Sequence, residues 1–269
     1  MAHSPGPYHA PTPARFYIHD DISDAVSEIF GTDSIVAERV AELFRLIAEH
    51  DPERVRILTV DEQIEALVAS LGAETVPAYA LTLGIGVAGE RVARQLHERA
   101  GWFPHIHRID VTRQEDGNGG YTVVSTSATP LAEQLVGLDE AESLAIVDDT
   151  VFSGVTLRAV LTALPPGALP RARAFCLRCV DESLEPLRSL CRVSAGFRAE
   201  GRILEDVSFI NASGLVTRVG IRRTDGRSLA FHERPEWIHA WFPGRGDQVI
   251  ALARSINDFL EPEGSEALR

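Results

Sequence analysis

At 269 residues, 45% hydrophobic and 24% charged, the chain has the composition of a globular protein, long enough for one large α/β domain or a domain with an appended subdomain. Its net charge of -13 excludes a general nucleic-acid binder, which needs basic surface, and no apolar run approaches the roughly 20 residues of a membrane-spanning helix. The sequence has no lysine, a pattern associated with GC-rich bacterial genomes, so any side-chain cation that meets a phosphate must be Arg or His; the planar fork of Arg donates two parallel hydrogen bonds to such an anion.

Residues 1–15, rich in Pro, His, Gly and Ala, read as a disordered leader. They have neither the basic start nor the apolar stretch of a signal peptide, so a cytoplasmic protein is expected. Phe16-Tyr17-Ile18-His19 reads as a short strand. Ser34 to Glu49 follows a helical period, with Ile35, Val36, Val40, Leu43, Phe44 and Ile47 on one face and Ser34 as N-cap. Residues 55–60 read as a strand and 61–71 as a helix stopped by Gly72. Residues 76–83 read as a strand, followed by a glycine loop and a helix over 90–100. Residues 106–112 and 121–127 are β-rich runs flanking Gln114-Glu115-Asp116-Gly117-Asn118-Gly119-Gly120, a hairpin or mobile-loop signal. A strand over 144–147 and its helix follow, ended by Pro165-Pro166-Gly167. A strand over 172–180 and a helix over 182–190 complete an alternation that predicts a parallel sheet. Beyond residue 196 the pattern changes to short strands over 201–209, 215–222 and 228–232, then a helix over 248–260. The expected class is therefore α/β: a parallel sheet flanked by helices, with a C-terminal β-rich hood. The expected domains are the leader at 1–15, a core at 16–195 and a hood subdomain with C-terminal helix at 196–269.

The three cysteines are too few for a disulfide framework. Cys176 and Cys179 form a C-x-x-C within an apparent strand, which would send the thiols to opposite faces. A zinc site would need a second ligand pair, and only Cys191 is near in sequence.

The most informative stretch runs from Leu144 to Leu157. Four apolar residues end in Asp148 and Asp149. The segment Thr150-Val151-Phe152-Ser153-Gly154-Val155-Thr156 follows, and a helical run begins after it. Carboxylates at the end of a strand can accept hydrogen bonds from ribose hydroxyls. Loop amides and hydroxyls at a helix N-terminus can wrap a phosphate, because the N–H groups there are unpaired and the dipole favours negative charge.

This stretch resembles the phosphoribosyl-pyrophosphate (PRPP) motif of type I phosphoribosyltransferases, and the resemblance covers mainly residues 76–180. It implies transfer of a phosphoribosyl group from PRPP to a small nitrogenous acceptor, with release of pyrophosphate and with Mg²⁺ as cofactor. It assigns Asp148 and Asp149 to the ribose hydroxyls, partly through magnesium-bound water. It assigns Thr150, Phe152, Ser153, Gly154, Val155 and Thr156 to the 5′-phosphate. The glycine segment Leu83 to Arg91 falls where the family has its pyrophosphate loop, which places Gly86, Ala88, Gly89 and Arg91 there. Arg113, with Arg108, would reach the pyrophosphate from the approach to the Gly-rich hairpin. The C-terminal Trp237 to Pro243 resembles a hood segment of some purine-type members, so Trp241 or Phe242 would stack on the base; the alternative is that they close a small hydrophobic core.

Phe152 departs from the 6-oxopurine salvage enzymes, which carry an acid there that assists the base nitrogen. An aromatic ring cannot transfer a proton, so the acceptor stays open. His105, His107, His232 and His239 are the remaining general-base candidates. Two other readings follow from the residues. A sensor of the same fold would bind PRPP or a nucleotide without catalysis. The G-x-G-x-x-G spacing of Gly84, Gly86 and Gly89 also spells a dinucleotide fingerprint, which would suit an oxidoreductase. A small-molecule substrate, no nucleic acid, no membrane and a homodimer are the expected partner relations.

Overall fold

The computed structural model describes residues 11–72 and 76–261. In chain order its elements are β1 (Arg15–Asp20), α1 (Ser23–Phe30), α2 (Ile35–His50), β2 (Val55–Thr59), α3 (Val60–Leu71), β3 (Leu81–Ile85), α4 (Gly86–Ala100), β4 (Ile106–Ile109), β5 (Val111–Glu115), β6 (Tyr121–Ser125), α5 (Leu131–Gln134), β7 (Leu144–Val151), α6 (Val155–Ala163), β8 (Ala172–Val180), α7 (Asp181–Arg188), β9 (Arg192–Ala199), β10 (Val207–Asn211), α8 (Ala212–Val216), β11 (Ile221–Arg222), α9 (Pro235–Trp241) and α10 (Gly246–Leu260). Most of the leader, residues 1–10, lies outside the described residues. Among the described residues no helix is long and apolar enough to cross a membrane.

The chain divides into two compact units. One holds residues 61–114 and 121–203. The other holds 11–60, 115–120 and 204–261. Residues 16–60 thus group with the C-terminal part rather than with the core in which the sequence reading put them.

The larger unit is built on a five-stranded sheet in the order β4-β3-β7-β8-β9. Every pairing in it is parallel, with Leu81 opposite Leu144, Leu144 opposite Ala172, and Arg173 opposite Arg192. The α/β class read from the alternation is therefore observed. Parallel strands are covered on both faces, so their sequences are near-continuously apolar; Leu144, Ala145, Ile146 and Val147 of β7 have no solvent exposure. One face packs Leu157, Val160 and Leu161 of α6 with Leu184 and Leu187 of α7. Phe175 belongs to an aromatic group with Tyr79, Trp102 and Phe103, at centroid distances of 5.3–6.1 Å. All three cysteines are buried. Cys176 and Cys179 belong to the same apolar cluster, and a hydrogen bond with the Cys179 thiol, then burial, pushes the Cys176 thiol up.

The smaller unit contains a second parallel sheet, β10-β1-β2, with β1 central. Helix α2 buries Val36, Val40, Leu43 and Ile47, and the Ser34 hydroxyl caps it by accepting from Ala37 N–H at 3.2 Å. The C-terminal part is less β-rich than its sequence suggested. Residues 212–216 are helical, and 231–233 form a 3₁₀ turn. Helices α9 and α10 follow, so only β10 and the two-residue β11 are strands there.

Candidate functional site

The sheet order of the larger unit determines where a ligand can approach. From β3 the chain passes through α4 to β4 on one side; from β7 it passes through α6 to β8 on the other. The direction of winding reverses between β3 and β7. In open α/β sheets the crevice at the carboxyl ends of two such strands is where ligands bind. The acid pair lies at the carboxyl end of β7. Gly84 of β3 is in register with Val147, so the first turn of α4 begins beside Asp148.

Strand β7 continues past the acids to Val151 rather than ending at Val147. Asp148 pairs in register with Cys176, Thr150 with Arg178, and Val151 with Cys179. Asp148 and Asp149 are 8% and 9% exposed. The Asp149 N–H donates to Asp148 Oδ1 at 2.9 Å. Burial, with the Asp149 charge and side chain beside it, pushes the Asp148 carboxyl well above the ordinary carboxylate range; the Asp149 amide and the Arg113 charge pull the other way. Arg113 is half-buried on β5, with its guanidinium 6.0 Å from the Tyr121 ring centre, and its charge acts on Asp148.

Thr150 and Arg178 both donate to Asp149. Thr150 Oγ1 donates to its Oδ2 at 3.2 Å, and the Arg178 guanidinium reaches the same oxygen at 3.2 Å. Arg178, on β8, has no solvent exposure, and its other terminal nitrogen donates to Gln63 Oε1 of α3 at 3.1 Å. The sequence reading missed both Arg178 and Gln63. A signal was present: Arg178 is the one charged residue in the apolar run Ala174 to Val180, and a buried charge is rare unless it is paired.

The segment after β7 turns at Phe152, Ser153 and Gly154, and α6 begins at Val155. Gly154 has φ 71° at the helix N-cap, the left-handed conformation glycine adopts readily. The Ser183 hydroxyl of α7 donates to the Phe152 carbonyl and ties the turn to the next helix. Ser153 is exposed, and Val155 and Thr156 are half-buried. Among the described residues no hydrogen bond engages the Ser153 or Thr156 hydroxyl. The first turn of α6 also leaves amides without intrahelical acceptors.

The glycine segment is not a loop. Helix α4 starts at Gly86, directly after β3. Gly89 is buried against β7, while Gly86, Ala88 and Arg91 are half-buried and Val87 is 63% exposed. Arg108 is ion-paired with Asp110 at 2.7 Å and lies 3.6 Å from Glu90. The hairpin is observed: β5 and β6 are neighbours, and the Asp116 carboxylate accepts from the amides of Asn118 and Gly120 in the connecting turn.

In the smaller unit, the expectation that Trp241 or Phe242 stacks on a base gives way to the core alternative. They are 5% and 2% exposed. Their rings are taken up by Phe16, Phe231 and Trp237 at centroid distances of 5.5–5.7 Å. His232 is likewise a core residue, with Nδ1 2.9 Å from the Leu215 carbonyl oxygen. His239 lies 3.3 Å from Asp247, and His105 and His107 are exposed.

Neither a protein-family model nor a curated protein matches the sequence. Among solved structures, the chain is similar to a purine phosphoribosyltransferase from Pyrococcus horikoshii Ot3, at 22% identity over 56% of this chain and 87% of that one, with a TM-score of 0.37. It is similar to the xanthine-guanine-hypoxanthine phosphoribosyltransferase of Helicobacter pylori, at 16% identity over 56% and 84% of the two chains, with a TM-score of 0.33. It is also similar to an orotate phosphoribosyltransferase from Aeropyrum pernix, at 17% identity over 51% and 70%, with a TM-score of 0.34.

Proposed function

We propose that this chain is a type I phosphoribosyltransferase that transfers the 5-phosphoribosyl group of PRPP to a small nitrogenous acceptor. The observation that carries the reading is the position of the Asp148–Asp149 pair at the carboxyl edge of β7, at the reversal between β3 and β7, next to a turn whose Ser153 and Thr156 hydroxyls are unengaged among the described residues. The acids accept from the ribose diol. The turn from Thr150 to Thr156, with Ser153, Gly154 and the first amides of α6, receives the 5′-phosphate. The start of α4, at Gly86, Ala88, Gly89 and Arg91, together with Arg113, receives the pyrophosphate.

The donor set suits magnesium, a hard cation that binds through one or two carboxylates and substrate phosphate oxygens, largely through water. When bound, the ion neutralises charge on the departing pyrophosphate. In the reaction the bond from the anomeric carbon to pyrophosphate oxygen breaks and a bond to the acceptor nitrogen forms. Pyrophosphate leaves with the electron pair, and the acceptor N–H proton passes to solvent or to the leaving group. The protein residues hold the ribose and the phosphates in position while positive character develops at the anomeric carbon.

Calorimetry with PRPP and Mg²⁺, followed by a pyrophosphate-release assay over a panel of purine and pyrimidine bases, tests this. Binding by the wild-type chain and its loss in Asp148→Asn/Asp149→Asn are expected. An absence of wild-type binding, or equal binding by the double variant, removes the reading. PRPP binding without pyrophosphate release on any base would favour a regulator that senses PRPP.

A further inference from the structure

The geometry points to Arg178 as a positioning residue, held by Gln63 and acting through Asp149 on the ribose diol. The inference rests on the phosphoribosyl reading of the site. Arg178 has no solvent exposure and Gln63 is 1% exposed, so neither is placed to touch substrate from solvent. One terminal nitrogen of Arg178 meets Asp149 Oδ2 at 3.2 Å and the other meets Gln63 Oε1 at 3.1 Å. A guanidinium fixed at both ends has one orientation, and it fixes the carboxylate plane of Asp149 in turn. Thr150 Oγ1 adds a second donor to the same oxygen.

The supports of this relay are rigid. Arg178 is carried on β8, which is paired on both sides, to β7 at Thr150 and to β9 at Phe197. Gln63 is carried on α3, whose backbone is packed tightly against β9. A Cβ at Gly196 would stand 2.5 Å from the Gln63 carbonyl oxygen and 3.0 Å from that of Leu177. The absence of a side chain at 196 is what lets α3 approach β9, the neighbour of the strand that carries Arg178. A buried ion pair is weak evidence of stability, because desolvation offsets its attraction and an apolar pair can serve as well. A carboxylate that must meet a diol at a set angle gives the pair a use that stability does not.

The test compares two probes on the full chain with Mg²⁺ present. PRPP carries the diol; inorganic pyrophosphate does not. Gln63→Met removes the hold on Arg178 while retaining its charge and the side-chain length. Arg178→Lys retains the charge but not the two-ended grip. The expected result for each is a roughly tenfold or greater rise in Kd for PRPP with less than a twofold change for pyrophosphate. A merely structural role would weaken both probes together, and that outcome overturns the inference, as does wild-type PRPP affinity in both variants. In an Asp149→Asn background Gln63→Met should add no further loss of PRPP affinity; full additivity also overturns it. Should Arg178→Lys fail to fold, the Gln63→Met comparison decides. If the wild-type chain binds no PRPP, the functional reading fails and this inference with it; if it binds PRPP and the variants behave as wild type, only the positioning role fails.

Discussion

A Cβ built on Gly89 would stand 2.4 Å from the carbonyl oxygen of Val147. Helix α4 therefore lies directly on the central strand, one residue before the acid pair. Gly84 makes the same demand from the other partner, since a Cβ there would come within 2.5 Å of the Glu90 Cα. These two glycines of the G-x-G-x-x-G spacing are required by close packing of helix on strand, whatever the first turn of α4 binds. Gly89→Ala is expected to destabilise the larger unit by about 1–3 kcal/mol, the usual cost of overpacking. Urea unfolding measures it; an alanine variant as stable as wild type would show that α4 can move away from β7 freely.

Asp148→Asn should separate stability from binding. Burial and the neighbouring Asp149 make an ionised carboxylate costly at this position, and a neutral amide of the same shape does not carry that cost. The variant is expected to unfold at the same or a higher temperature than wild type while losing PRPP affinity. This is the pattern of a group kept for function against the fold's preference. Thermal melts and calorimetry on the same preparation check it. A melt several degrees below wild type would mean that Asp148 serves the fold.

The architecture was legible where periodicity was strong. The apolar run before Asp148 and the strand over residues 172–180 appear as read, and so does the helical face of α2 except at Ile35, which is 52% exposed in the first turn; burial on both faces or on one stripe leaves a plain pattern. Helix α1 was not legible from apolar spacing alone; it follows a turn in which the Asp20 carboxylate accepts from the amides of Ile22 and Ser23 at 3.3 and 2.9 Å, an aspartate turn signal that the sequence did contain. Strand β9 was missed because Arg192, Ser194 and Arg198 interrupt its apolar residues at the edge of the sheet. The hood was read as strands because Leu215 to Arg222 is rich in β-branched residues. Packing there overrides propensity: the short helix α8 sits on Phe231, whose ring would lie 2.8 Å from a Cβ at Gly214. At the candidate site the acids and the turn were readable as a local motif. Arg178 and Gln63, 115 positions apart in sequence, were brought together by the fold.

Trp241 is expected to be a fold residue rather than a base platform. It touches Phe16, Phe231 and Trp237 at 5.6–5.7 Å between ring centres. Trp241→Ala should cost about 3–5 kcal/mol, as for other large-to-small core changes. Trp241→Phe, which keeps an apolar ring, should leave the acceptor KM within twofold of wild type. A large rise in acceptor KM for Trp241→Phe, with stability retained, would return the residue to the base site.

His232 predicts how the smaller unit responds to acid. It is 3% exposed, and burial holds its imidazole below the ordinary histidine value, against the opposing hydrogen bond to Leu215. Between that lowered value and the unfolded one, about 6.5, the unfolded chain binds more protons than the folded one at this residue. Stability is therefore retained above about pH 6.5 and falls as the pH drops through the window. His232→Gln removes the titrating group. The difference in unfolding free energy between wild type and variant should change with pH below about 6.5, with wild type losing ground as acid is added, and should be flat above it. Trp237 and Trp241, in the same aromatic group as Phe231 next to His232, provide the fluorescence signal. A difference that stays constant through the acid range would mean that the imidazole is protonated equally in the folded and unfolded chain and that burial does not hold it neutral.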